Sequence, residues 1–183
     1  MSWNSTFIAI KRDLSRQLDQ LQTDLGITLG EPIASISWEE ATASSVTGKS
    51  VGIGDGWTII CDPFMFLDSA KVESPAPDNI WLPTIETGLE ICSVGSIALG
   101  FIVAGVSDTY GMTIHHNGKL LRCRLVQEGK IIVDAGKPLA EEAEAFDEEA
   151  DEELRVFLLL EKFGLSSDKL EHMQFTLYEP AAA

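Results

Sequence analysis

The chain has 183 residues, of which 45% are apolar, and its 13 basic and 29 acidic side chains give a formal net charge of −16 at pH 7. This length and apolar content predict a single folded domain over 1–183 and exclude a wholly disordered chain. The negative charge disfavours nucleic acid and anionic membranes as partners, because both are bound largely through Lys and Arg.

An amphipathic helix is predicted over 7–25. Asn4 or Ser5 is its expected N-cap, and Gly26 is expected to end it. Fewer than three heptads fit into its apolar stripe, so packing on the sheet of the same domain is favoured over a coiled coil. The stripe consists of residues spaced by three and four positions, as on one face of a helix: Phe7, Ile10, Leu14, Leu18, Leu21 and Leu25.

Residues 26–49 show no consistent helix or strand pattern, except that a short helix is expected around 38–43. The glycine-rich stretch 52–56 predicts a turn that leads into a strand over 57–61. Three prolines within 68–83 are typical of a long surface loop.

The second half of the chain predicts a β-meander. Residues 97–104 are apolar at both odd and even positions, as a central strand buried on both faces requires. Residues 117–118, Asn-Gly, are the strongest short-range hairpin signal, since both tolerate positive φ, and residues 128–129 mark a second turn. Four antiparallel strands are therefore expected, over 97–104, 110–116, 119–126 and 130–134.

A two-residue turn at 117–118 sets a register in which His116 opposes Lys119. The apolar face of this hairpin, expected to be buried, carries Tyr110, Met112, Ile114, Leu121, Cys123 and Leu125. The polar face, expected to contact solvent, carries Thr109, Thr113, His115, Arg122 and Arg124.

The last third of the chain begins with the segment 141–153, in which nine of thirteen residues are acidic. It leads into a helix with a broad apolar side over 154–160, which ends at Phe163-Gly164. A short helix over 167–171 and a strand over 174–178 follow. Together the elements predict an α+β fold, in which an antiparallel β-meander sheet is packed by an N-terminal amphipathic helix and a C-terminal helix.

The three cysteines, Cys61, Cys92 and Cys123, are far apart and form no CxxC pair. Buried reduced thiols are expected, with neither a disulfide nor a metal site. The N-terminus lacks the pattern of a secretory signal, and the longest apolar run is about half of what a membrane span needs. A cytoplasmic location is therefore expected.

The sequence shows no recognised catalytic, cofactor-binding or metal-binding motif, so a non-enzymatic protein without a cofactor is expected. His115 and His116 are adjacent on a strand and point to opposite faces, so they cannot hold one ion. The glycines of 52–56 precede a strand, whereas a dinucleotide-binding fingerprint opens a helix. Residues 48–50, Gly-Lys-Ser, lack the earlier glycine of a phosphate-binding loop.

The acidic segment 141–153 is the candidate partner-binding site. Dense negative charge speeds the encounter with a basic protein through long-range attraction. The hypothesis is a cytoplasmic protein-interaction domain, most concretely an acidic immunity protein that neutralises a cationic toxin. The residues of this candidate site are Glu141, Glu142, Glu144, Asp147, Glu148, Glu149, Asp151, Glu152 and Glu153.

Two other functions stay open, as does the oligomeric state. A small-ligand-binding protein or an enzyme would assemble its site from scattered residues, for which the candidates are Trp57, Asp62, Tyr110 and Arg122. A self-associating adaptor domain would expose aromatic residues, since these concentrate at interfaces. The candidates for that role are Trp3, Trp38 and Trp81.

Overall fold

In the part of the chain that the structure describes, nine antiparallel strands form one sheet at the centre of the protein. The computed structural model describes residues 4–43, 45–63, 66, 80–145 and 151–180. The strands are β1 (Asn4–Ile10), β2 (Pro32–Ile36), β3 (Ser50–Gly54), β4 (Trp57–Asp62), β5 (Ile97–Ala104), β6 (Thr109–His116), β7 (Lys119–Gln127), β8 (Lys130–Gly136) and β9 (Phe175–Tyr178). Their order is β2-β9-β3-β4-β1-β5-β6-β7-β8, and every neighbouring pair is antiparallel. The predicted four-stranded meander is confirmed as β5 to β8.

Helices cover both faces of this sheet. Those within the described ranges are α1 (Leu18–Leu25), α2 (Trp38–Ala41), α3 (Pro83–Cys92), α4 (Ala140–Ala145), α5 (Glu152–Lys162) and α6 (Ser167–His172). Helices α1 and α3 bury Leu25 and Leu89 in a hydrophobic core on one face. Helices α2, α5 and α6 bury Trp38, Leu159 and Leu170 in a second core on the other face. The α+β fold with packing helices from both halves of the chain is confirmed.

The predicted helix over 7–25 is wrong in its first half. Residues 7–10 belong to β1, which lies between β4 and β5 and buries its side chains on both faces of the sheet. The helix begins only at Leu18, and its N-cap is Gln17 rather than either expected residue. Gly26 ends it as predicted, in the left-handed region at φ 63°. A short apolar run fits a doubly buried strand as well as a helical stripe, which is why the spacing misled.

The glycine-rich stretch is mostly strand, and only its last two residues form the turn. Gly52 lies in β3, where a Cβ atom would stand 2.5 Å from the ring of Phe175. Asp55 and Gly56 make the turn at φ 51° and 78°, and the predicted strand that follows is confirmed as β4. The absent side chain of Gly52 therefore lets an aromatic ring of β9 pack against the sheet.

The predicted loop over 68–83 lies mainly outside the described residues. At its end, Trp81 is fully buried and donates from Nε1 to Oγ1 of Thr113 at 2.6 Å. Pro83 is the first residue of α3, a helix that was not predicted, and proline suits that position because its missing N–H would have no helical partner.

Replacing Gly100 with alanine should lower the free energy of unfolding by about 1–3 kcal/mol through overpacking. Its Cβ would stand 2.6 Å from Cζ2 of Trp81 and 2.8 Å from Oγ1 of Thr113. Denaturant unfolding measures the loss. Gly54→Ala is the matched control, because the nearest atom to a Cβ there, in Met173, is 3.4 Å away. Equal losses in the two variants would contradict the expectation.

The hairpin at Asn117-Gly118 is confirmed, with φ 50° and 75° in the turn and His116 paired with Lys119. The predicted register holds only for the two pairs next to the turn. A β-bulge shifts it between Ile114 and His115, so that Ile114 pairs with Arg122 and not with the residue before it. Beyond the bulge, each residue of β7 faces opposite to the prediction, because side chains alternate along a strand.

The bulge corrects the predicted faces of the hairpin. Leu121 is 38% exposed, whereas Arg122, expected in contact with solvent, is 2% exposed. Thr113 and His115 are also fully buried, because α3 covers the face that was expected to be wet. Arg124 lies on the same face as Arg122, again opposite to the prediction, but it stays partly exposed.

The C-terminal elements follow their predictions. Helix α5 is followed by Gly164 at φ 95°, and α6 and β9 match the short helix and the last strand. In the part of the chain that the structure describes, no helix combines the length and the apolar character needed to cross a membrane.

The three cysteines are buried free thiols, as predicted. Burial raises the pKa of Cys61, and it raises the pKa of Cys92 to about 11. Both thiols therefore stay protonated and poorly nucleophilic at neutral pH.

Candidate functional site

The acidic segment 141–153 is bound to the sheet near both of its ends. Both carboxylate oxygens of Glu142 accept from Nε of Arg122, at 2.8 and 3.0 Å. Glu152 accepts from Nη1 of Arg124 at 2.8 Å and from Nη1 of Arg155 at 2.6 Å. Arg122 and Arg124 are alternate residues of β7, so their side chains leave the same face of the sheet.

The ion pair between Arg122 and Glu142 is buried, since each side chain is only 3% exposed. Arg122 also donates to the carbonyl oxygen of Ala135 at 3.1 Å and pairs with Asp134. Burial acts to lower the pKa of Arg122, but the hydrogen bonds and charges of Glu142 and Asp134 outweigh it and raise the pKa. The pair therefore holds α4 on the sheet and leaves no free charge for a ligand.

These contacts correct the predicted partner-binding site. Glu142 is excluded from contact with a partner by its burial, and the charge of Glu152 is shared between two arginines. Partial burial acts to raise the pKa of Glu152, but Arg124 and Arg155 outweigh it and lower the pKa.

The other predicted acidic residues divide into two groups. Asp151 is exposed, and Glu141 and Glu153 are half-buried, so all three remain accessible. Asp147, Glu148 and Glu149 lie outside the described residues. Glu144 belongs to α4, but its side chain is not described.

A groove of about 490 Å³ opens between α2, α5 and α6, where the acidic segment ends. It combines three carboxylates with three apolar side chains and one hydroxyl. We refer to it as the acidic groove, lined by Trp38, Asp151, Glu153, Leu154, Phe157, Ser167 and Glu171.

Helix caps position the acidic groove. In α2, Ser37 and Glu40 form a reciprocal capping box next to Trp38. In α5, Oδ1 of Asp151 accepts from the backbone N–H of Leu154 at 2.8 Å. Each cap satisfies backbone donors that the first helical turn leaves without a helical partner. The helices therefore begin at defined residues, and these residues or their neighbours line the groove.

The apolar side of the acidic groove rests on the core. Trp38 is 3% exposed, with its ring edge-on to Phe7 at 5.3 Å between centroids and tilted to Phe175 at 5.6 Å. Phe157 is half-buried, and Leu154 is 48% exposed. The groove thus has a rigid aromatic base and an exposed apolar edge.

Negative charge accumulates at the acidic groove. Partial burial, followed by the charge of Asp151, raises the pKa of Glu153, and the positive charge of the chain's α-amino group only partly opposes this. Partial burial, followed by the charge of Glu153, also raises the pKa of the nearby Tyr110. Among the described residues, no Lys or Arg forms an ion pair with Asp151, Glu153 or Glu171. A cation in the groove would relieve this repulsion.

The four residues suggested for a small-molecule site are not brought together. Trp57 and Tyr110 belong to the core under α2, α5 and α6, whereas Asp62 faces the opposite side of the sheet. Arg122 is occupied by its carboxylate partners.

The tryptophans suggested for self-association are also placed otherwise. Trp38 is 3% exposed and Trp81 is fully buried, so neither projects from the surface. Trp3 lies outside the described residues.

A cleft of about 670 Å³ on the side of α1 and α3 contains an ion pair, Lys49 Nζ to Asp62 Oδ2 at 3.0 Å. Asp62 is almost fully buried, so Lys49 compensates its charge locally. Gly48 is held against β9, where a Cβ atom would stand 2.1 Å from the carbonyl oxygen of Tyr178. The Gly-Lys-Ser stretch thus serves strand packing.

The two histidines lie on opposite faces of the hairpin, as predicted, but the expectation that His115 contacts solvent is wrong. Its side chain is fully buried, whereas His116 is exposed. Within the described ranges, no three His, Cys, Asp or Glu residues are grouped so that they could hold a metal ion.

Comparison of the chain with protein-family models, curated proteins and solved structures finds no match. The acidic groove was not predicted as a whole, although two of its three carboxylates, Asp151 and Glu153, belong to the predicted acidic segment. The spacing of Glu153 and Phe157, and of Ser167 and Glu171, places each pair on one helix face. This signal indicates a mixed polar and apolar face, but it does not show that α2 completes the groove.

Proposed function

We propose that this chain is a non-enzymatic protein-interaction domain that binds a basic protein at the acidic groove. Its most concrete form is an immunity protein that neutralises a cationic toxin in the cytoplasm. The observation that carries the proposal is the set Asp151, Glu153 and Glu171, which lacks cationic partners among the described residues and lies beside apolar side chains. An apolar centre with a charged, solvated margin is the usual anatomy of a protein interface.

The net charge of −16 supports the same proposal at longer range. A strongly acidic protein attracts a basic one before contact and raises the rate of association. In this proposal the acidic segment provides attraction, while the acidic groove provides the contact itself.

The cleft at Lys49 and Asp62 favours the small-ligand alternative, because a concave apolar site with few polar groups is typical of ligand binding. Ligand binding at this cleft is the second candidate function, because Lys49 and Asp62 already compensate each other's charge.

Replacing Glu153 and Glu171 together by glutamine should lower the association rate for a basic partner by about tenfold at low ionic strength. The dependence of this rate on salt should also become weaker, with little change in dissociation, because accessible charges act mainly on the encounter. The measurement is surface-based binding kinetics at two ionic strengths, with basic proteins encoded by the adjacent genes as candidate partners.

The matched control removes two charges from the opposite side of the sheet, through Asp19→Asn and Glu90→Gln. Both side chains are exposed, on α1 and α3. If both double variants lose the same association rate, the loss is due to the change in net charge and not to the acidic groove. Failure of any basic neighbour to bind would contradict the proposed function.

A further inference from the structure

We propose, resting on the function proposed above, that the acidic groove selects an arginine guanidinium of its partner over a lysine ammonium. The inference names the chemical group that the groove recognises and follows from the combination of its apolar and acidic sides.

The apolar lining favours the guanidinium. An incoming cation meets Leu154 and Phe157 above the buried ring of Trp38 and loses water on that side. An ammonium is a compact, strongly hydrated charge, whereas a guanidinium is planar, weakly hydrated and stacks on aromatic and apolar surfaces. Partial dehydration therefore costs the ammonium more.

The carboxylates favour the same choice. Asp151 and Glu153 belong to the start of α5, and Glu171 belongs to α6, so acceptors approach the groove from two helices. One oxygen of Asp151 accepts from the backbone of α5, and within the described ranges its second oxygen has no hydrogen-bond partner. A guanidinium has five donors in a fixed planar fork and can serve two carboxylates at once, whereas an ammonium has three donors on one atom.

The groove has room for the end of one long side chain. Its volume of about 490 Å³ is closed on the inner side by Trp38. This volume is in the range of a small-molecule site.

Two peptides of equal length and charge test the inference, acetyl-Gly-Arg-Gly-Arg-Gly-amide and its counterpart with lysine in place of arginine. Each is titrated into the full chain, and NMR follows the indole N–H of Trp38 and the backbone amides of Leu154 and Phe157. We expect the arginine peptide to bind about tenfold more tightly. Glu153→Gln with Glu171→Gln should weaken both peptides, Phe157→Leu should reduce the preference, and Asp19→Asn with Glu90→Gln should leave it intact.

Other results would overturn the inference in distinguishable ways. Equal binding of the two peptides, weakened for both by the loss of Glu153 and Glu171, would refute selection of arginine and leave the proposed basic partner standing. If neither peptide shifts the groove signals, the inference fails, and the kinetics with the basic protein decide the proposed function separately. Groove signals that respond to Trp3→Ala but not to peptide would assign the groove to the chain's own N-terminal segment.

Discussion

Replacing Arg122 with methionine should lower the free energy of unfolding by about 3–5 kcal/mol. The substitution leaves the carboxylate of Glu142, which is 3% exposed, without the guanidinium that holds both of its oxygens. A buried charge without a partner costs far more than the intact pair contributes. Unfolding in urea, followed by circular dichroism, measures the loss.

Two further variants separate the buried charge from the loss of a long side chain. Arg122→Met combined with Glu142→Leu should recover most of the stability, because both charges are then removed together. Arg16→Met replaces an exposed arginine and should change stability little. A loss of less than about 1 kcal/mol in the single Arg122 variant would show that Glu142 finds water or another partner.

Stability should fall as the pH decreases from about 6.5 to about 4, and His115 should account for about 3 kcal/mol of that fall. His115 is fully buried, with neither ring nitrogen hydrogen-bonded within the described structure. Burial lowers its pKa from 6.5 to about 4, only partly opposed by the charge of Glu86 on α3. The neutral form is therefore favoured in the folded protein, and the unfolded chain binds the proton more readily across this interval.

The sign of this dependence follows from proton binding. Above the unfolded pKa of 6.5, both states carry neutral His115, and the group contributes no pH dependence. Below it the unfolded chain gains the proton first, so the loss of stability grows until the folded protein is protonated near its own pKa of about 4.

The measurement compares the wild-type chain with His115→Leu by urea unfolding at about pH 7.5 and about pH 4.5. Titration of the many carboxylates is common to both proteins, so the change in their stability difference isolates His115. His116→Leu serves as the control for replacing an imidazole in the same hairpin. A stability difference that stays constant with pH would contradict the burial of a neutral His115.

Residue types and short-range sequence patterns were sufficient to predict the turns and several strands and helices. Asn117-Gly118 and Glu128-Gly129 were predicted as turns because Gly, and in the first turn also Asn, tolerates positive φ, and both turns adopt it. The doubly apolar run of β5 was likewise sufficient to predict a central strand. These features depend on residues adjacent in the chain, which is why the meander could be predicted.

The N-terminal strand and the β-bulge could not be predicted in this way. Residues 7–10 fit a helical stripe and a strand equally well, and their place between β4 and β5 depends on partners far along the chain. The bulge beside Ile114 changes the face of Arg122, although the sequence pattern agreed with an uninterrupted ladder. The register argument assumed that the polar residues of the hairpin face solvent. Because helices cover both faces of the sheet, the alternation of polar and apolar residues does not identify a solvent face.

By itself the sequence determined the class of the fold, the meander, the reduced cysteines and a strongly acidic surface, since these follow from composition and short-range pattern. Only the tertiary structure decided which acidic groups are free. Glu142 is neutralised by Arg122, 20 residues away in the chain, whereas Glu153 lies beside Trp38 with no such partner described. The reason is physical, because the burial and pairing of a charge depend on which distant segments pack around it.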